Sequence, residues 1–196
     1  MLVGALPLAA QDNLLDLRIA EIDRDGQRTY HNFIYSRTLL GGKVLLDANH
    51  LLVPQSHYRE TSVGAGYRAM GAGASGVYLI ANVATASDDD YFEPAILATG
   101  ASGRWNVSFF SLFYAPLGKN GVTQWLVDPA EVTLRVAGPL LIGSSLYWWR
   151  PAGGPAVSKI GGQIGLKLGS LSPFIAFREV NNGGGMQVQF RLVAVF

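Results

Sequence analysis

The sequence predicts an all-β fold, a transmembrane antiparallel up-and-down β-barrel of about twelve strands, with ten as the alternative. Three observations favour it. Apolar and polar residues alternate with a period of two through most of the 196 residues. Hydrophobic residues make up 49% of the chain, yet no apolar run reaches the roughly 18 residues that a transmembrane helix requires. The connections between alternating segments are short and rich in glycine, which is typical of hairpins.

The first eleven residues are expected to be a signal-peptide remnant or leader. Their apolar stretch ends in the small residues Ala9 and Ala10 before the polar Gln11, as secretory signals do near their cleavage site. We therefore predict one domain, a transmembrane β-barrel over residues 12–196. The chain has no cysteine, which excludes disulfides and thiolate chemistry. A net charge of +1 without a basic cluster argues against a nucleic-acid partner.

Each strand is predicted from its own alternation and from the turn residues that bound it. In the first strand Leu15 and Leu17 oppose Asp16 and Arg18, so one face is apolar and the other is polar. Turn signals rich in Gly, Pro, Asn and Asp divide the rest of the chain. The predicted strands lie near residues 13–23, 27–39, 43–53, 58–69, 75–86, 91–100, 103–114, 129–137, 140–149, 156–168, 171–180 and 186–196.

Three of these strands are weakly predicted. Pro94 lies inside the sixth and Pro129 begins the eighth, although proline removes a donor from a central ladder. The ninth, residues 140–149, has no clear polar face. A barrel of ten strands with longer loops is therefore the alternative.

The predicted connections alternate in length. If both termini lie at one end of the barrel, the turns at that end are short and built from small residues. The opposite end receives the longest and most polar loops, at residues 52–57, 87–90, 115–128 and 150–155. Outer-membrane barrels have this asymmetry, with short periplasmic turns and longer external loops.

The polar face of each strand is expected to point inward. Twelve strands enclose an interior too wide for side chains to fill simply, so a polar, wet interior fits better than a dry one. Aromatic residues also fall near strand ends, where interfacial girdles form in membrane barrels. The predicted girdles are Tyr67, Trp105 and Phe196 at the periplasmic end, and Tyr30, Tyr114, Trp148 and Trp149 at the outer end.

The chain ends "MQVQFRLVAVF", an alternating strand that stops on an aromatic residue. This resembles the C-terminal signature of bacterial outer-membrane β-barrel proteins, a porin-like superfamily, without pointing to one family within it. The resemblance covers the last strand closely and the rest of the chain by pattern. It implies a place in the bacterial outer membrane, contact with membrane lipid and lipopolysaccharide, and recognition by the barrel assembly machinery. The residues implied as the assembly signal are Val188, Phe190, Leu192 and Phe196.

The polar side chains expected inside suggest a function. Eight inward cations are predicted against four anions, Asp16, Asp47, Glu60 and Glu131, and basic rings favour anions in a pore. We therefore predict a narrow passive channel for small polar or anionic solutes. The same charges could instead form ion-pair networks that plug the lumen of a structural or interaction barrel. The predicted pore-lining residues are Arg18, Glu60, Arg68, Arg104, Glu131, Arg135, Lys159, Gln163, Lys167, Arg178, Gln189 and Arg191.

An outer-membrane lipid hydrolase is the remaining alternative. His31, His50 and His57 all fall in the predicted outer half, and Ser56 adjoins His57. A nucleophile and its base must converge in space, which neighbours in sequence rarely do. No catalytic residue is assigned, and the protein is not expected to be an enzyme.

No metal or cofactor is predicted. The acidic run at residues 88–90 lacks the spacing and the glycine of a calcium loop. The glycine-rich segment 64–76 lacks the Gly-Lys-Ser/Thr of a phosphate loop, so we interpret it as a tight turn.

Overall fold

The twelve-stranded barrel is confirmed. A computed structural model describes residues 13–22, 28–72, 75–181 and 184–196, so the predicted leader, residues 1–11, lies outside the described residues. Each strand pairs antiparallel with the next along the chain, and the last pairs with the first. The strands are β1 (Asn13–Ile22), β2 (Arg28–Leu39), β3 (Val44–Val53), β4 (Tyr58–Ala72), β5 (Ser75–Ala86), β6 (Asp90–Ser102), β7 (Trp105–Pro116), β8 (Gln124–Ala137), β9 (Leu140–Pro151), β10 (Val157–Leu166), β11 (Leu171–Val180) and β12 (Met186–Val195).

The barrel closes where β1 meets β12. The ladder runs from Leu14 opposite Val195 to Ile22 opposite Gln187. Beyond it, the Phe196 N–H donates to the Asn13 carbonyl at 3.1 Å, and the Asn13 side-chain amide donates to the Phe196 carbonyl at 3.1 Å. A closed sheet has no free edge, so its backbone groups are paired without water.

The apolar face of the strands points outward, as predicted. Ile160, Ile164, Leu166 and Phe190 expose 61%, 46%, 40% and 49% of their surfaces on the outside of the barrel. Their sequence neighbour Lys159 is buried inside. An apolar band around a closed barrel is the surface that hydrocarbon solvates.

The sixth strand is complete despite its proline. Pro94 lies inside β6, where pairing with β7 is interrupted between the pairs Phe92–Ala115 and Ala95–Leu112. Because the ladder has a gap there, the missing proline N–H breaks no bond with β7.

The eighth strand begins earlier than predicted. It starts at Gln124 rather than near 129, and its register with β9 shifts between Val127 and Ala130. Pro129 therefore sits at a bulge, one of the places where a sheet tolerates proline. The predicted external loop 115–128 shrinks to 117–123.

The connections differ between the two ends of the barrel. We call the end with Asn13 and Phe196 the terminal end and the opposite end the outer end. At the terminal end the Leu40–Lys43 turn is tight, with Gly41 and Gly42 at φ of 65° and 81°, a conformation that glycine adopts without strain. The longest connection, 117–123, is at the outer end, as the asymmetry of the sequence predicts.

Four of the seven predicted girdle aromatics face outward. Tyr67, Trp105 and Phe196 are exposed at the terminal end. At the outer end the Trp148 ring packs edge-on against Trp125, with ring centroids 5.7 Å apart. Trp125 was not among the predicted girdle residues, because its strand was predicted to begin after it.

The other three predicted girdle aromatics face the interior. Tyr30, Tyr114 and Trp149 all line the central cavity, so their assignment to the outer girdle is wrong. Position near a strand end suggested a girdle, but the inward or outward direction follows the two-residue period of the strand.

A charge placed on the outward face should destabilise the barrel. Ile96 lies in the middle of β6 and is exposed, so we expect Ile96→Arg to lower the free energy of unfolding by about 2–4 kcal/mol, the cost of Arg at the bilayer midplane. Denaturant titration in phospholipid bilayers measures this. The matched control is Leu117→Arg in the exposed outer loop, with little expected effect. Equal losses from both variants would contradict a hydrocarbon environment at Ile96.

Candidate functional site

The barrel encloses a cavity of about 810 Å³. Its lining extends from Ser56 and Gly184 at the outer end to Leu14 and Leu45 nearer the terminal end. Most lining side chains come from the inward positions of the strands, so the cavity is the lumen of the barrel. It is the candidate functional site.

At the terminal end the lumen is filled by side chains. Tyr78, Leu141, Val193 and Val195 face inward there and are buried. The Tyr78 hydroxyl donates to the Gly42 carbonyl at 2.8 Å. Nearby, Arg68 donates to the same hydroxyl at 2.7 Å, so the inward groups of β4 and β5 are tied to the β2–β3 turn.

Five charged side chains form a network that crosses the lumen, which we call the ion-pair bridge. It consists of Asp16 and Arg18 on β1, Arg191 on β12, and Asp128 and Glu131 on β8. β8 is separated from β12 by three strands on one side and from β1 by six on the other. The contacts therefore span the interior rather than follow the wall.

The geometry of the ion-pair bridge is tight. Arg191 places Nε 2.8 Å from Asp16 Oδ1 and Nη1 2.7 Å from Glu131 Oε2. Arg18 reaches Asp16 at 2.8 Å and Asp128 at 3.3 Å. Pairing of this kind offsets part of the cost of removing the charges from water. The bridge therefore fixes β8 relative to the β1–β12 seam and narrows the lumen.

One side of the lumen is basic, and we call Lys159 and Arg178, on β10 and β11, the basic wall. The Lys159 ammonium lies 4.3 Å from the centre of the Tyr147 ring, a cation–π distance. Among the described residues, no carboxylate occupies an inward position on β9, β10, β11 or β12.

Arg178 is the most enclosed of these cations, with 0% of its surface exposed. Its Nη2 donates to Ser145 Oγ at 2.6 Å and to Gln189 Oε1 at 3.0 Å. Gln189 in turn donates to the Tyr30 hydroxyl at 2.7 Å. The Nε and Nη1 atoms of Arg178 have no hydrogen-bond partner among the described residues, so this guanidinium keeps unused donors.

The opposite side is acidic, and we call Asp47, Glu60 and Glu93, on β3, β4 and β6, the acidic wall. All three point inward, and Glu60 and Glu93 expose at most 1% of their surfaces. Asp47 accepts a hydrogen bond from Ser36 Oγ at 2.7 Å, and Glu60 accepts one from the Tyr58 hydroxyl at 2.6 Å. The lumen therefore presents opposite charge on two sides.

The predicted pore-lining residues fall into three groups. Four of them contact the cavity directly: Arg18, Glu60, Lys159 and Arg191. Six more lie on the strands around or below it: Arg68, Glu131, Arg135, Gln163, Arg178 and Gln189. The last two, Arg104 and Lys167, lie between strands at the terminal end.

Arg104 and Lys167 are therefore corrections to the predicted lining. Arg104 is exposed in the turn before β7, because the strand begins at Trp105, two residues later than predicted. Lys167 follows the end of β10, and its pKa is lowered first by burial and second by the nearby charge of Arg135.

Sequence reasoning missed two inward acids, Glu93 and Asp128, both buried. Pro94 obscured the alternation around Glu93, and the late predicted start of the eighth strand put Asp128 in a loop. Among the strand residues whose side chains the structure describes, the inward charged residues are six acids, Asp16, Asp47, Glu60, Glu93, Asp128 and Glu131, and six bases, Arg18, Arg68, Arg135, Lys159, Arg178 and Arg191. The predicted excess of inward cations is not found among them.

The histidines do not assemble a hydrolase site with Ser56. The Ser56 hydroxyl donates to the Val53 carbonyl at 3.2 Å rather than to His57. The His50 ring contacts Thr61 Oγ1 at 2.8 Å, on the outward side of β3 and β4. Within the described part of the chain, no three His, Asp or Glu residues are grouped to hold a metal ion.

Asp89 ties two outer connections together. Its Oδ2 accepts hydrogen bonds from the N–H groups of Gly121 at 2.7 Å and Asn120 at 3.1 Å, and its Oδ1 accepts one from Asp90 at 2.8 Å. A Cβ added at Gly118 would clash with Asp89 Oδ1, so a larger residue there would displace the carboxylate. Donation by the Gly121 N–H is the main cause that lowers the pKa of Asp89.

No protein-family profile matches the chain, and no curated protein matches it by sequence. Solved structures do match. The KdgM porin superposes with a TM-score of 0.67 at 11% identity, over 93% of this chain and 99% of its own. The NanC porin gives 0.61 at 11% identity, over 93% and 98%. Outer membrane protein Omp33 of Acinetobacter baumannii gives 0.59 at 9% identity, over 95% and 98%.

The chain therefore has the same fold as the KdgM and NanC porins. At these identities the likeness extends to the fold and to no particular solute. KdgM has also been solved in complex with disordered oligogalacturonate, a structure that matches with a TM-score of 0.66 at 12% identity over 93% of this chain and 99% of KdgM.

Breaking the ion-pair bridge should cost stability. Arg191→Met leaves Glu131 without its partner and Asp16 with only Arg18, so we expect a loss of about 3–5 kcal/mol in the free energy of unfolding. Adding Glu131→Gln should recover part of this loss. The control is Arg150→Met, because Arg150 is exposed at the end of β9. A loss no larger than that of the control, measured by denaturant titration, would mean that the bridge does not stabilise the barrel.

Protonation of Asp89 should release the outer loop. Because the pKa of Asp89 lies below its ordinary value of 3.8, its contribution is complete above pH 3.8 and is lost as the pH falls through the lowered value. We expect Asp89→Ala to raise exchange of the Asn120 and Gly121 amides by about tenfold at neutral pH. Amide hydrogen exchange measures this, with Asp90→Ala as the control. Unchanged protection in Asp89→Ala would contradict the role of Asp89.

Proposed function

We propose that the protein is a narrow passive channel in the bacterial outer membrane for small polar or anionic solutes. The observation that carries this proposal is a cavity of about 810 Å³ enclosed by a closed barrel with an apolar exterior. A barrel that is apolar outside and polar inside suits a solute path through hydrocarbon.

The basic wall supports passage of anionic solutes. Lys159 and Arg178 face the interior from strands whose described residues include no inward carboxylate, so both cations attract an anion on that side. That KdgM forms a complex with oligogalacturonate, a chain of acidic sugars, is consistent with this solute class. The acidic wall opposite makes the preference for anions mild.

The ion-pair bridge is the proposed constriction. Because Arg191 and Glu131 meet within the lumen at 2.7 Å, a solute must pass beside them rather than through the centre. The filled terminal end adds a second barrier. Only small solutes are compatible with such a path.

A plugged structural barrel is the second candidate, favoured by the same two features. The ion-pair bridge and the buried side chains Tyr78, Leu141, Val193 and Val195 would then close the lumen permanently. The outer connections 117–123 and 152–156 would be the surfaces that contact a partner.

The proposed partners outside the lumen are the lipids and the assembly machinery. One outward row on and just after β12 consists of Val188, Phe190, Leu192 and Phe196. The assembly machinery could bind this row before the barrel closes. Lipopolysaccharide would surround the outer end and phospholipid the terminal end.

Conductance separates the two candidates. We expect the purified protein in planar bilayers to show stepwise ion conductance. Glu131→Ala should give larger steps, because it shortens a side chain at the constriction. Lys119→Ala in the outer loop is the control and should leave the steps unchanged. Heat-modifiable migration on a gel shows that each variant is closed. A closed wild-type barrel without steps would contradict the channel and favour the plugged barrel.

A further inference from the structure

Among the described residues, no cation forms an ion pair with the acidic wall. The two arginines of the ion-pair bridge pair with Asp16, Asp128 and Glu131, and with none of Asp47, Glu60 and Glu93. The groups that act on these three carboxylates are hydroxyls, one amide and other acids, with no cation among them. Three enclosed carboxylates thus lie on one side of the lumen without a neutralising side chain.

The hydroxyls around the acidic wall orient it toward the lumen. Tyr58 donates to Glu60 Oε2 at 2.6 Å and Tyr114 approaches Oε1 at 3.4 Å. Both tyrosines also line the cavity, so Glu60 is flanked by aromatic rings. Organic cations bind at sites of this kind, because a carboxylate pairs with the positive charge and aromatic rings make cation–π contacts with it.

The side-chain amide of Asn82 lies beside the acidic wall. Asn82, 3% exposed, lines the cavity beside Asp47. Its Oδ1 has no hydrogen-bond partner among the described residues. An enclosed acceptor left unpaired is costly, so this site lacks a donor.

Other acceptor oxygens around the cavity also lack a hydrogen-bond donor. Among the described residues that line it, four side-chain atoms are enclosed and have no partner, and all four are acceptor oxygens. They are Oδ1 of Asn32, Asn49, Asn82 and Asp128. All four oxygens are enclosed, so a ligand that carries donors would pair with them only if their side chains turn toward it.

The strands beside the acidic wall add an apolar surface. Leu45, Ile80, Leu112 and Tyr114 belong to one packed cluster, against which Leu97, Phe110 and Leu126 also pack. Most of these side chains line the cavity. A ligand there would bury an apolar body within reach of the carboxylates.

We propose that the acidic wall and this apolar cluster form a binding site for organic cations with an apolar body, such as aromatic or aliphatic amines. The ammonium group would donate to Glu60, Asp47 and Asn82, and the body would lie against Leu97, Phe110 and Leu126. The cavity volume of about 810 Å³ is within the range of small-molecule sites, about 300–1,000 Å³. The proposal goes beyond the channel, because binding does not require passage.

Isothermal titration of the full chain in lipid nanodiscs tests the site without relying on conductance. Three probes share one body and differ in the head group: 2-phenylethylamine as the cation, 2-phenylethanol as the neutral form and 3-phenylpropionate as the anion. Empty nanodiscs provide the blank. We expect the amine to bind at least about tenfold more tightly than the alcohol, and the anion to bind more weakly still.

The variants identify the groups responsible. Glu60→Gln and, separately, Asp47→Asn should each weaken amine binding by about tenfold and leave alcohol binding unchanged. Glu179→Gln removes one negative charge from the exposed outer face of β11 and should change neither. Asp47→Asn serves as the test if Glu60→Gln does not migrate as a closed barrel.

Three results would overturn the proposal: no amine binding above the blank, equal binding of the amine and the alcohol, or wild-type amine affinity in the folded acidic-wall variants. A barrel that binds the amine but conducts no ions would support this site while contradicting the channel. A conducting barrel without amine binding would do the reverse.

Discussion

The hydrogen-bonded seam between β1 and β12 is the constraint on which the rest of the structure depends. A strand at an open edge would present unpaired N–H and C=O groups, which hydrocarbon cannot solvate. Pairing from Leu14–Val195 to Ile22–Gln187 removes that edge. Once the sheet is closed, every side chain is committed to one of two surroundings. The outward set meets an apolar solvent, and the inward set shares one enclosed space.

The enclosed space then concentrates the few charges that the chain has. Only 15% of its residues are charged, yet twelve charged side chains that the structure describes point inward from the strands. Some pair across the lumen, as Arg191 does with Asp16 and Glu131. Others remain on opposite sides, with Lys159 and Arg178 facing Asp47, Glu60 and Glu93. A small lumen can thus hold the ion-pair bridge together with the basic wall and the acidic wall. Solutes of different charge then have different places to bind.

The sequence predicted only part of the candidate site. Clean alternation identified Arg18, Lys159 and Arg178 as inward residues, because one face of each strand is apolar. Glu93 and Asp128 were not identified as inward residues, because the prolines beside them obscured the two-residue period of the strand. Tyr30, Tyr114 and Trp149 were placed outside because nearness to a strand end does not tell which face an aromatic ring occupies. For Asp128 the missing information was where its strand begins, and for the other four residues it was the face of the strand on which each lies.

The sequence alone determined the class of fold, the approximate strand number and the outward direction of the apolar face. These follow from local quantities, namely the two-residue period, the turn residues and the lack of any long apolar run. Only the tertiary structure decided which charges meet. Asp16 and Glu131 lie far apart in the chain and on different strands, and they share Arg191 because closure of the sheet brings β8 opposite the β1–β12 seam. Contacts across a lumen depend on strand stagger and barrel width, which no single strand encodes.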